Sequence, residues 1–298
     1  MKQIVQLTKR NCMIYIRNKG AVFSSMLTMM IVIALMLIFL GDMNVNGIVS
    51  GFFGNDAPDE VRRNAESYVF WWTVAGVLSV NSLMVVLTVL TPMIADSENG
   101  IIQSFYTSPI KRWKISAGYV TSAWVCSSAF AVLTMLGAVI IAAVKGFDIT
   151  FKDVVISVLY ASANAFMYAG MMYLIAVLTK SLSAYSGLGT TIGTLCGFLG
   201  GIYLPAGSLP DGVLSVLKCL PVLHGTALIR QPLTDAPQST LFFGLPAEFS
   251  EELEDVMGVR ISFGEHILNS QTELAILFIS GIIFLGVGAV VLKRKTDR

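Results

Sequence analysis

The run "YVFWWTVAGVLSVNSLMVVLTVLTPMIA", residues 68–95, contains no Asp, Glu, Lys or Arg. A helix needs about 20 predominantly apolar residues to cross the hydrocarbon core of a bilayer, so this run is longer than one crossing requires. The whole chain has the same character: of its 298 residues 55% are hydrophobic and 13% charged, and the mean hydropathy is +0.73. Soluble domains carry about 25% charged residues. The sequence therefore predicts a membrane protein.

Similar charge-free runs occur before and after this one, and together they predict six transmembrane helices. The windows are Ala21–Leu40, Tyr68–Ala95, Ile115–Val144, Val154–Leu178, Ser183–Tyr203 and Leu274–Leu292. The remaining segments are too short or too irregular to form a soluble domain with its own core. We therefore expect an all-α polytopic membrane protein with a single domain over residues 1–298.

The orientation of the chain follows from its basic residues, because short loops rich in Lys and Arg stay in the cytoplasm. The two ends of the chain are basic, with Lys2, Lys9, Arg10, Arg17, Lys19, Lys293, Arg294, Lys295 and Arg298. The loop after the second span adds Lys111, Arg112 and Lys114, whereas acidic residues gather in other loops, at Asp56, Asp59, Glu60, Glu248, Glu251, Glu252, Glu254 and Asp255. We expect both termini and residues 96–113 in the cytoplasm, and the acidic loops outside.

Residues 1–20 have the pattern of an amphipathic helix. On a helical wheel the polar side holds Lys2, Gln3, Gln6, Lys9, Arg10 and Arg17, and the apolar side holds Ile4, Leu7, Ile14 and Tyr15. Asn11 and Asn18 interrupt this pattern. The segment predicts a helix that lies in the membrane interface, or a basic topology anchor with no further role.

The segment after the second span, "ADSENGIIQSFYTSPIKRW" (residues 95–113), predicts a short amphipathic helix. Its apolar residues Ile101, Ile102, Phe105 and Tyr106 recur at intervals of three and four. Asp96 or Ser97 can cap its start, and Pro109 disfavours helix at the preceding residue. Such a helix is too short to span a membrane, so it either lies in the interface or docks onto a protein.

The segment before the last span, residues 204–270, is the largest predicted outside the membrane. It begins with two apolar pieces of roughly ten residues, too short to span, which Pro205, Pro210 and Pro221 interrupt. We expect these pieces to form a re-entrant or interfacial broken helical hairpin. The acidic remainder predicts a small external cap of helix and turn.

The fifth predicted span carries a glycine at every fourth position, at Gly189, Gly193, Gly197 and Gly201. A stripe of this kind allows another helix backbone to approach closely. It predicts either packing inside the protein or an interface with a second subunit.

The sequence lacks the residues that catalysis in the membrane would need. The histidines, His224 and His266, both fall in the external segment, and no G-x-x-x-x-G-K-[ST] motif for ATP phosphates is present. The cysteines Cys12, Cys126, Cys196 and Cys219 lack metal-site spacing, and we expect no internal disulfide. The polar span residues Asn81 and Asn164 are expected to form hydrogen bonds between helices. We therefore predict no catalytic, cofactor-binding or metal site in this chain.

Two motifs give the chain a resemblance to ABC transporter permeases of the type 2 exporter family. Six residues match the family pattern of Glu, Gly-Thr and Ser-Pro-Ile-x-Arg, namely Glu98, Gly100, Ser108, Pro109, Ile110 and Arg112. Residues 203–231, "YLPAGSLPDGVLSVLKCLPVLHGTALIRQ", resemble the family's external segment. The chain departs from the pattern at Ile101, where the family often has Thr, and at Tyr119, where Lys is common. The resemblance covers nearly the whole length.

This resemblance implies a partner for residues 96–113. They would form the coupling helix that seats in a groove of a separate ATPase subunit, with Ile102, Phe105 and Tyr106 as apolar anchors and Glu98 and Arg112 as polar contacts beside them. ATP and Mg would be bound by that ATPase and not by this chain. No nucleic acid is implied.

The resemblance also implies a dimer with a second permease, either an identical copy or a paralogue, that works by alternating access in a bacterial plasma membrane. The expected process is export of a hydrophobic or amphipathic cargo, such as a drug, an antibiotic peptide or a lipid-like molecule. Methionines in the spans, such as Met26, Met29, Met30, Met167, Met171 and Met172, could line its path or simply pack. The residues alone leave two alternatives open: a membrane carrier that needs no ATPase, and a scaffold or sensor that transports nothing.

Overall fold

The computed structural model describes residues 2–35, 41–54, 56–101, 110–200, 205–263 and 266–296. Within them the chain forms helices α1 (Lys2–Arg17), α2 (Lys19–Leu35), α3 (Gly41–Phe52), α4 (Asp59–Glu98), α5 (Arg112–Lys145), α6 (Phe151–Leu178), α7 (Leu182–Leu199), α8 (Asp211–Lys218), α9 (Pro221–Leu241), α10 (Ala247–Met257) and α11 (Ser270–Thr296). Two-residue strands β1 (Ser262–Phe263) and β2 (His266–Ile267) pair antiparallel before α11. The predicted all-α class is confirmed, and this small hairpin is an addition to it.

Four of these helices, α4, α5, α6 and α11, are long and apolar enough to cross a membrane. The count rises to five if α8 and α9, which meet at an 81° bend, form one broken span. The first and fifth predicted spans correspond to α2 and α7, whose described lengths are 17 and 18 residues. Their predicted ends, within 36–40 and 201–204, lie outside the described residues. The count of six spans stays a prediction.

Helix α4 is the central element of the bundle. It packs against α2, α3, α5, α6, α7 and α9, and 83% of its most apolar window is buried, compared with 17% for α11. The most buried side chains of the window include Val74, Leu78 and Leu83. Such burial on all sides explains why the sequence of α4 is apolar all round rather than on one face.

The two ends of the bundle differ in charge. One end, here called the basic end, brings together the start of α1, the end of α4, the start of α5 and the end of α11. The Lys295 ammonium there donates to the backbone oxygen of Val177 at the end of α6, at 2.6 Å. The opposite, acidic end holds α3, the start of α4 and α10. The described parts of the two chain termini therefore lie at the same end, which the basic sequence flanks predicted.

The predicted broken hairpin is present, but its second helix is longer than expected. Helix α9 has 21 residues and continues through Pro232 and Pro237. Its start lies deep in the bundle, because the Thr226 hydroxyl donates to Ser79 Oγ in the middle of α4 at 2.9 Å. Its end returns to the acidic end. This path fits either a re-entrant segment or a broken span, so the re-entrant or interfacial character stays a prediction.

The same deep site contains the polar residues that the sequence placed within the spans. The Asn164 amide of α6 donates to Ser79 Oγ at 3.0 Å, and the Asn81 amide of α4 donates to Thr134 Oγ1 of α5 at 3.0 Å. Both asparagines thus join separate helices, as predicted.

The acidic end carries a packed cap that the sequence only partly indicated. Its apolar cluster joins α3, the start of α4, the end of α9 and α10, with Val45, Ile48, Tyr68, Trp72, Leu241, Leu253 and Met257 among its buried members. The Arg230 guanidinium lies 4.3 Å from the Trp72 ring centroid. It also donates to the backbone oxygens of Met257 and Gly258. Helix α3 was not predicted.

Candidate functional site

The predicted coupling segment begins where α4 ends. Glu98 is the last helical residue, and the backbone N–H of Asn99 still donates to the oxygen of Ala95 at 2.9 Å. Gly100 follows with φ +73°, in the left-handed region that residues with a Cβ rarely adopt. A Cβ at Gly100 would meet nothing within 4 Å, so the backbone angle and not the space favours glycine here. Gly100 therefore sets the direction in which the chain leaves α4.

Several of the predicted coupling residues lie outside the described residues, namely Ile102, Phe105, Tyr106, Ser108 and Pro109. Arg112 is the first residue of α5, and Ile110 packs against the main apolar core. Ile101 is 45% exposed. The two described ends of the segment thus adjoin α4 and α5.

Asp96 has a different role from the predicted helix cap. It lies within α4, its side chain is 9% exposed, and its carboxylate accepts from Arg10 of α1 at 2.9 Å. The Tyr119 hydroxyl of α5 donates to the same carboxylate oxygen at 2.5 Å. Burial opposes the charge of Arg10, but its hydrogen bonds to Asp96 and Tyr119 outweigh this effect and raise the guanidinium pKa. One carboxylate therefore ties three helices together.

Helix α1 lies along the first half of α5. Lys114 donates to the Gln3 side chain at 2.9 Å, Leu7 packs on Gly118, and the Tyr15 ring meets Phe130 edge-on at 5.8 Å. A Cβ on Gly118 would lie 2.5 Å from the Leu7 Cβ, which shows how closely the helices approach.

The amphipathic character predicted for residues 1–20 is present, but the buried stripe differs from the expected one. Its buried members are Leu7, Asn11 and Tyr15. Asn11, which the pattern treated as an interruption, is 0% exposed and accepts from Arg10 at 3.1 Å. Ile14 is 36% exposed. Asn18 accepts from the Ala21 N–H at 3.2 Å and so caps the start of α2.

The start of α7 is also joined to this end of α4. A Glu98 carboxylate oxygen accepts from the backbone N–H of Leu182 at 3.3 Å, where a helix N-terminus favours negative charge. The Ser181 hydroxyl caps the same helix by accepting from Ala184 at 3.2 Å. Glu98, predicted as a contact for a partner protein, thus also contacts the α6–α7 connection within its own chain.

The predicted glycine stripe faces α4 at two of its four positions. A Cβ at Gly189 would overlap the end of the Leu87 side chain, and one at Gly193 would overlap the end of the Met84 side chain. Gly197 is buried in α7, and Gly201 lies outside the described residues. The Tyr185 hydroxyl adds a hydrogen bond to the Leu87 backbone oxygen at 3.2 Å. These contacts are packing within one chain.

Two cysteines that are distant in sequence, Cys12 of α1 and Cys126 of α5, are neighbours between these two helices. The neighbouring Cys126 thiol of α5 lowers the pKa of the Cys12 thiol of α1. Both thiols are free in the structure. This contact belongs to the same α1–α5 interface as Leu7 and Gly118.

Sequence reasoning found the segment at this site but missed the residues that brace it. Arg10 was assigned to the polar side of α1, Asp96 to a cap, and Tyr119 was only a departure from a family pattern. The sequence did offer one signal for these partners. Asp96 directly follows a charge-free run, and a partly buried charge requires a partner. These contacts join the end of α4 to α1, α5 and α7.

Comparison with known proteins supplies the family. A family model described as "ABC-2 type transporter" matches residues 2–233, a range that includes α1, the coupling segment and most of α9. A comparison with curated proteins gives no match.

Proposed function

The chain belongs to the ABC-2 type transporter family, and from this premise we propose that it is the transmembrane subunit of an ATP-driven exporter. The cargo is hydrophobic or amphipathic, such as a drug, an antibiotic peptide or a lipid-like molecule. A separate ATPase subunit binds ATP and Mg and powers alternating access. Both termini and the basic end face the cytoplasm of a bacterial cell, and the cap faces outward.

The observation that carries this proposal is the set of contacts that join the end of α4, where the predicted coupling segment begins, to α1, α5 and α7. Residues 101–110 connect α4 directly to α5, Asp96 ties α4 to α1 and α5, and Glu98 contacts the start of α7. A helix end that only led into a loop would not need these contacts. They support a role in which a partner that binds the segment moves the end of α4 together with α1, α5 and α7.

In the proposed mechanism the ATPase binds residues 96–113 through Ile102, Phe105 and Tyr106. Closure of two ATPases on ATP moves the two coupling segments toward each other. Helix α4 carries this movement through the bundle, because its 40 residues form one continuous helix of about 60 Å. The movement opens the cargo path alternately to the two sides.

A second permease copy or a paralogue completes the proposed assembly. The faces of α2 and α7 that turn away from α4 expose large apolar side chains, which include Phe23, Met30, Leu188 and Leu195. Met167 and Met172 are 0% exposed in the core, so within this fold they pack and do not line a path. The exposed residues of α2 and α7 are the better candidates for the subunit contact and the cargo path.

The test uses the Phe105→Ala variant in cells that also express the partner ATPase. We expect normal insertion, loss of the copurifying ATPase or of cargo-stimulated hydrolysis, and loss of export. The physical reason is that a few buried aromatic residues dominate a protein interface, and truncation of one costs about 2 kcal/mol or more. The measurements are copurification, ATPase activity and cargo efflux.

Phe243→Ala is the matched control, because Phe243 is 89% exposed at the acidic end and should affect none of these readouts. Normal export and a retained ATPase in Phe105→Ala would contradict the anchor role. A wild-type chain that exports cargo without any copurifying ATPase would instead favour an independent carrier.

A further inference from the structure

A large apolar groove lies on the outside of the bundle near the basic end. Its floor is α6, and its walls are α5 and α11. It has a volume of about 790 Å³, which is in the size range of small-molecule sites. Four aromatic side chains contribute to its lining, Trp113 and Trp124 on α5 and Phe166 and Tyr173 on α6. The proposed coupling function makes no use of this groove.

The groove extends from the basic end toward the middle of the bundle. Trp113, 59% exposed, lies at its mouth, and Trp124 lies three helical turns further along α5. Eleven residues of helix correspond to about 16 Å, close to half of the ~30 Å hydrocarbon core. The groove therefore matches the depth of one leaflet.

The inner end of the groove is rigid. The Trp124 indole donates to the backbone oxygen of Ser162 at 2.9 Å and also bonds the Ser162 hydroxyl. Its ring meets Phe166 edge-on at a centroid distance of 5.8 Å, and Phe166 in turn lies 5.5 Å from Phe278. These contacts fix the aromatic walls, so the groove is a formed feature of the fold.

The mouth of the groove is basic. Lys293 of α11 lines it opposite Trp113. The nearby sequence adds Lys111, Lys114, Arg294 and Lys295; Lys114 bonds Gln3 and Lys295 bonds Val177. An apolar groove that is one leaflet deep and has cationic side chains at its mouth complements a lipid with an acyl chain below an anionic head group. Basic pockets between membrane helices on the cytoplasmic side are known to bind anionic lipid head groups.

We propose that this groove binds an anionic glycerophospholipid from the leaflet at the basic end, with one acyl chain between α5 and α11 and its phosphate beside Lys293. The tryptophans at the mouth and the inner end contact the chain along its length. Under the proposed orientation this is the cytoplasmic leaflet. The binding itself depends neither on that orientation nor on an ATPase partner.

The chain contains its own reporter for this site. Of its four tryptophans, Trp71 and Trp72 are 0% exposed in the interior, whereas Trp113 and Trp124 are 59% and 37% exposed in the groove. Bromine atoms on an acyl chain quench tryptophan fluorescence only at close range. Quenching therefore reports the acyl chain at Trp113 and Trp124.

The test reconstitutes the full-length protein in vesicles of phosphatidylcholine and phosphatidylglycerol. Two vesicle sets have the same head-group composition, and the brominated chains are carried by phosphatidylglycerol in one set and by phosphatidylcholine in the other. We expect stronger quenching by brominated phosphatidylglycerol, with a relative affinity of about fivefold from one lysine near the surface. A Trp113→Phe variant should keep this preference, because Trp124 still reports the chain at depth.

Two variants separate the head-group site from the groove. Lys293→Gln should reduce the preference for phosphatidylglycerol by about fivefold, whereas the matched charge control Lys9→Gln, on α1, should keep it. Ala289→Phe, which fills the groove from α11, should reduce quenching by both lipids. Equal quenching by the two lipids in the wild-type protein, or equal loss of preference in the two lysine variants, would overturn the proposal. The readout requires no hydrolysis or transport, so failure of the exporter function would not affect it.

Discussion

At the scale of single residues, the Asp96 carboxylate is the most informative contact of the molecule. It accepts from Arg10 and from Tyr119, which belong to the two helices on either side of it. Its side chain is 9% exposed, so loss of either donor leaves a partly buried charge less well satisfied. The cost of such a loss is greater than for an exposed ion pair.

We predict that Tyr119→Phe lowers the free energy of unfolding by about 2 kcal/mol, because a hydrogen bond to a buried charge is lost while the ring is kept. Thermal unfolding of the purified protein in detergent measures this change. Tyr160→Phe is the matched control, since the Tyr160 hydroxyl makes no hydrogen bond within the described part of the chain. Equal stability of the two variants would show that the Asp96 contact is not a brace.

A double-mutant cycle then measures the coupling energy between Arg10 and Asp96. Arg10→Gln and Asp96→Asn should each destabilise the protein, and the double variant should cost less than the sum, with a coupling of about 1 kcal/mol. Additive losses would mean that α1 and α4 are held by other contacts.

At the scale of helices, close approaches between glycines decide how the bundle is assembled. On α6, a Cβ added to Gly170 would lie 2.6 Å from the backbone oxygen of Gly281 on α11. At Gly193 of α7 the same addition meets only the end of the Met84 side chain. A backbone atom cannot move aside without shifting its helix, whereas a methionine changes rotamer easily.

We therefore predict a graded series of alanine variants. Gly170→Ala should destabilise the protein by about 1–3 kcal/mol through overpacking, and Gly193→Ala by less. Gly187→Ala serves as the control, because a Cβ there meets nothing within 4 Å. Unfolding temperatures of the three variants in one detergent give the order, and a Gly193→Ala effect as large as that of Gly170→Ala would contradict it.

This comparison also shows what the sequence could and could not reveal about helices. The absence of charge was enough to predict α4, α5, α6 and α11, because a long apolar run has few alternatives in a membrane. The regular spacing of glycines drew attention to α7, yet the tighter approach uses single glycines, Gly170 and Gly281, which form no repeat. Which two glycines come into contact depends on how the helices pack. The local sequence pattern of a single helix does not contain that information.

Helix ends were harder to predict than helix cores for a related reason. Helix α4 begins at Asp59 rather than near Tyr68 because its first turns pack against α3 in the cap. Helix α9 continues through Pro232 and Pro237, although a proline within a helix costs about 3 kcal/mol, because Leu233, Pro237 and Leu241 are buried along it. In both cases burial against other helices set the extent of the helix.

At the scale of the whole molecule, the separation of charge between the ends leads to a prediction about topology. A cysteine introduced at Glu252, on α10 of the acidic end, should react with a membrane-impermeant thiol reagent in intact cells. A cysteine at Lys111 should react only after the cells are lysed. The physical basis is retention of basic loops in the cytoplasm.

The experiment uses a Cys219→Ser background, so that labelling reports the introduced cysteine and not Cys219, which is exposed in the native chain. Labelling of the Lys111 position and not of the Glu252 position in intact cells would reverse the proposed orientation, and the coupling site would then face the wrong side of the membrane.

The length of α4 has a consequence for inhibition. One continuous helix connects the cap, where Trp72 contacts Arg230, to Glu98 in the predicted coupling segment. A stiff rod that is clamped at one end cannot pivot freely at the other. Under the proposed function and orientation, an antibody fragment that immobilises the cap from outside the cell would therefore arrest nucleotide turnover in the partner ATPase.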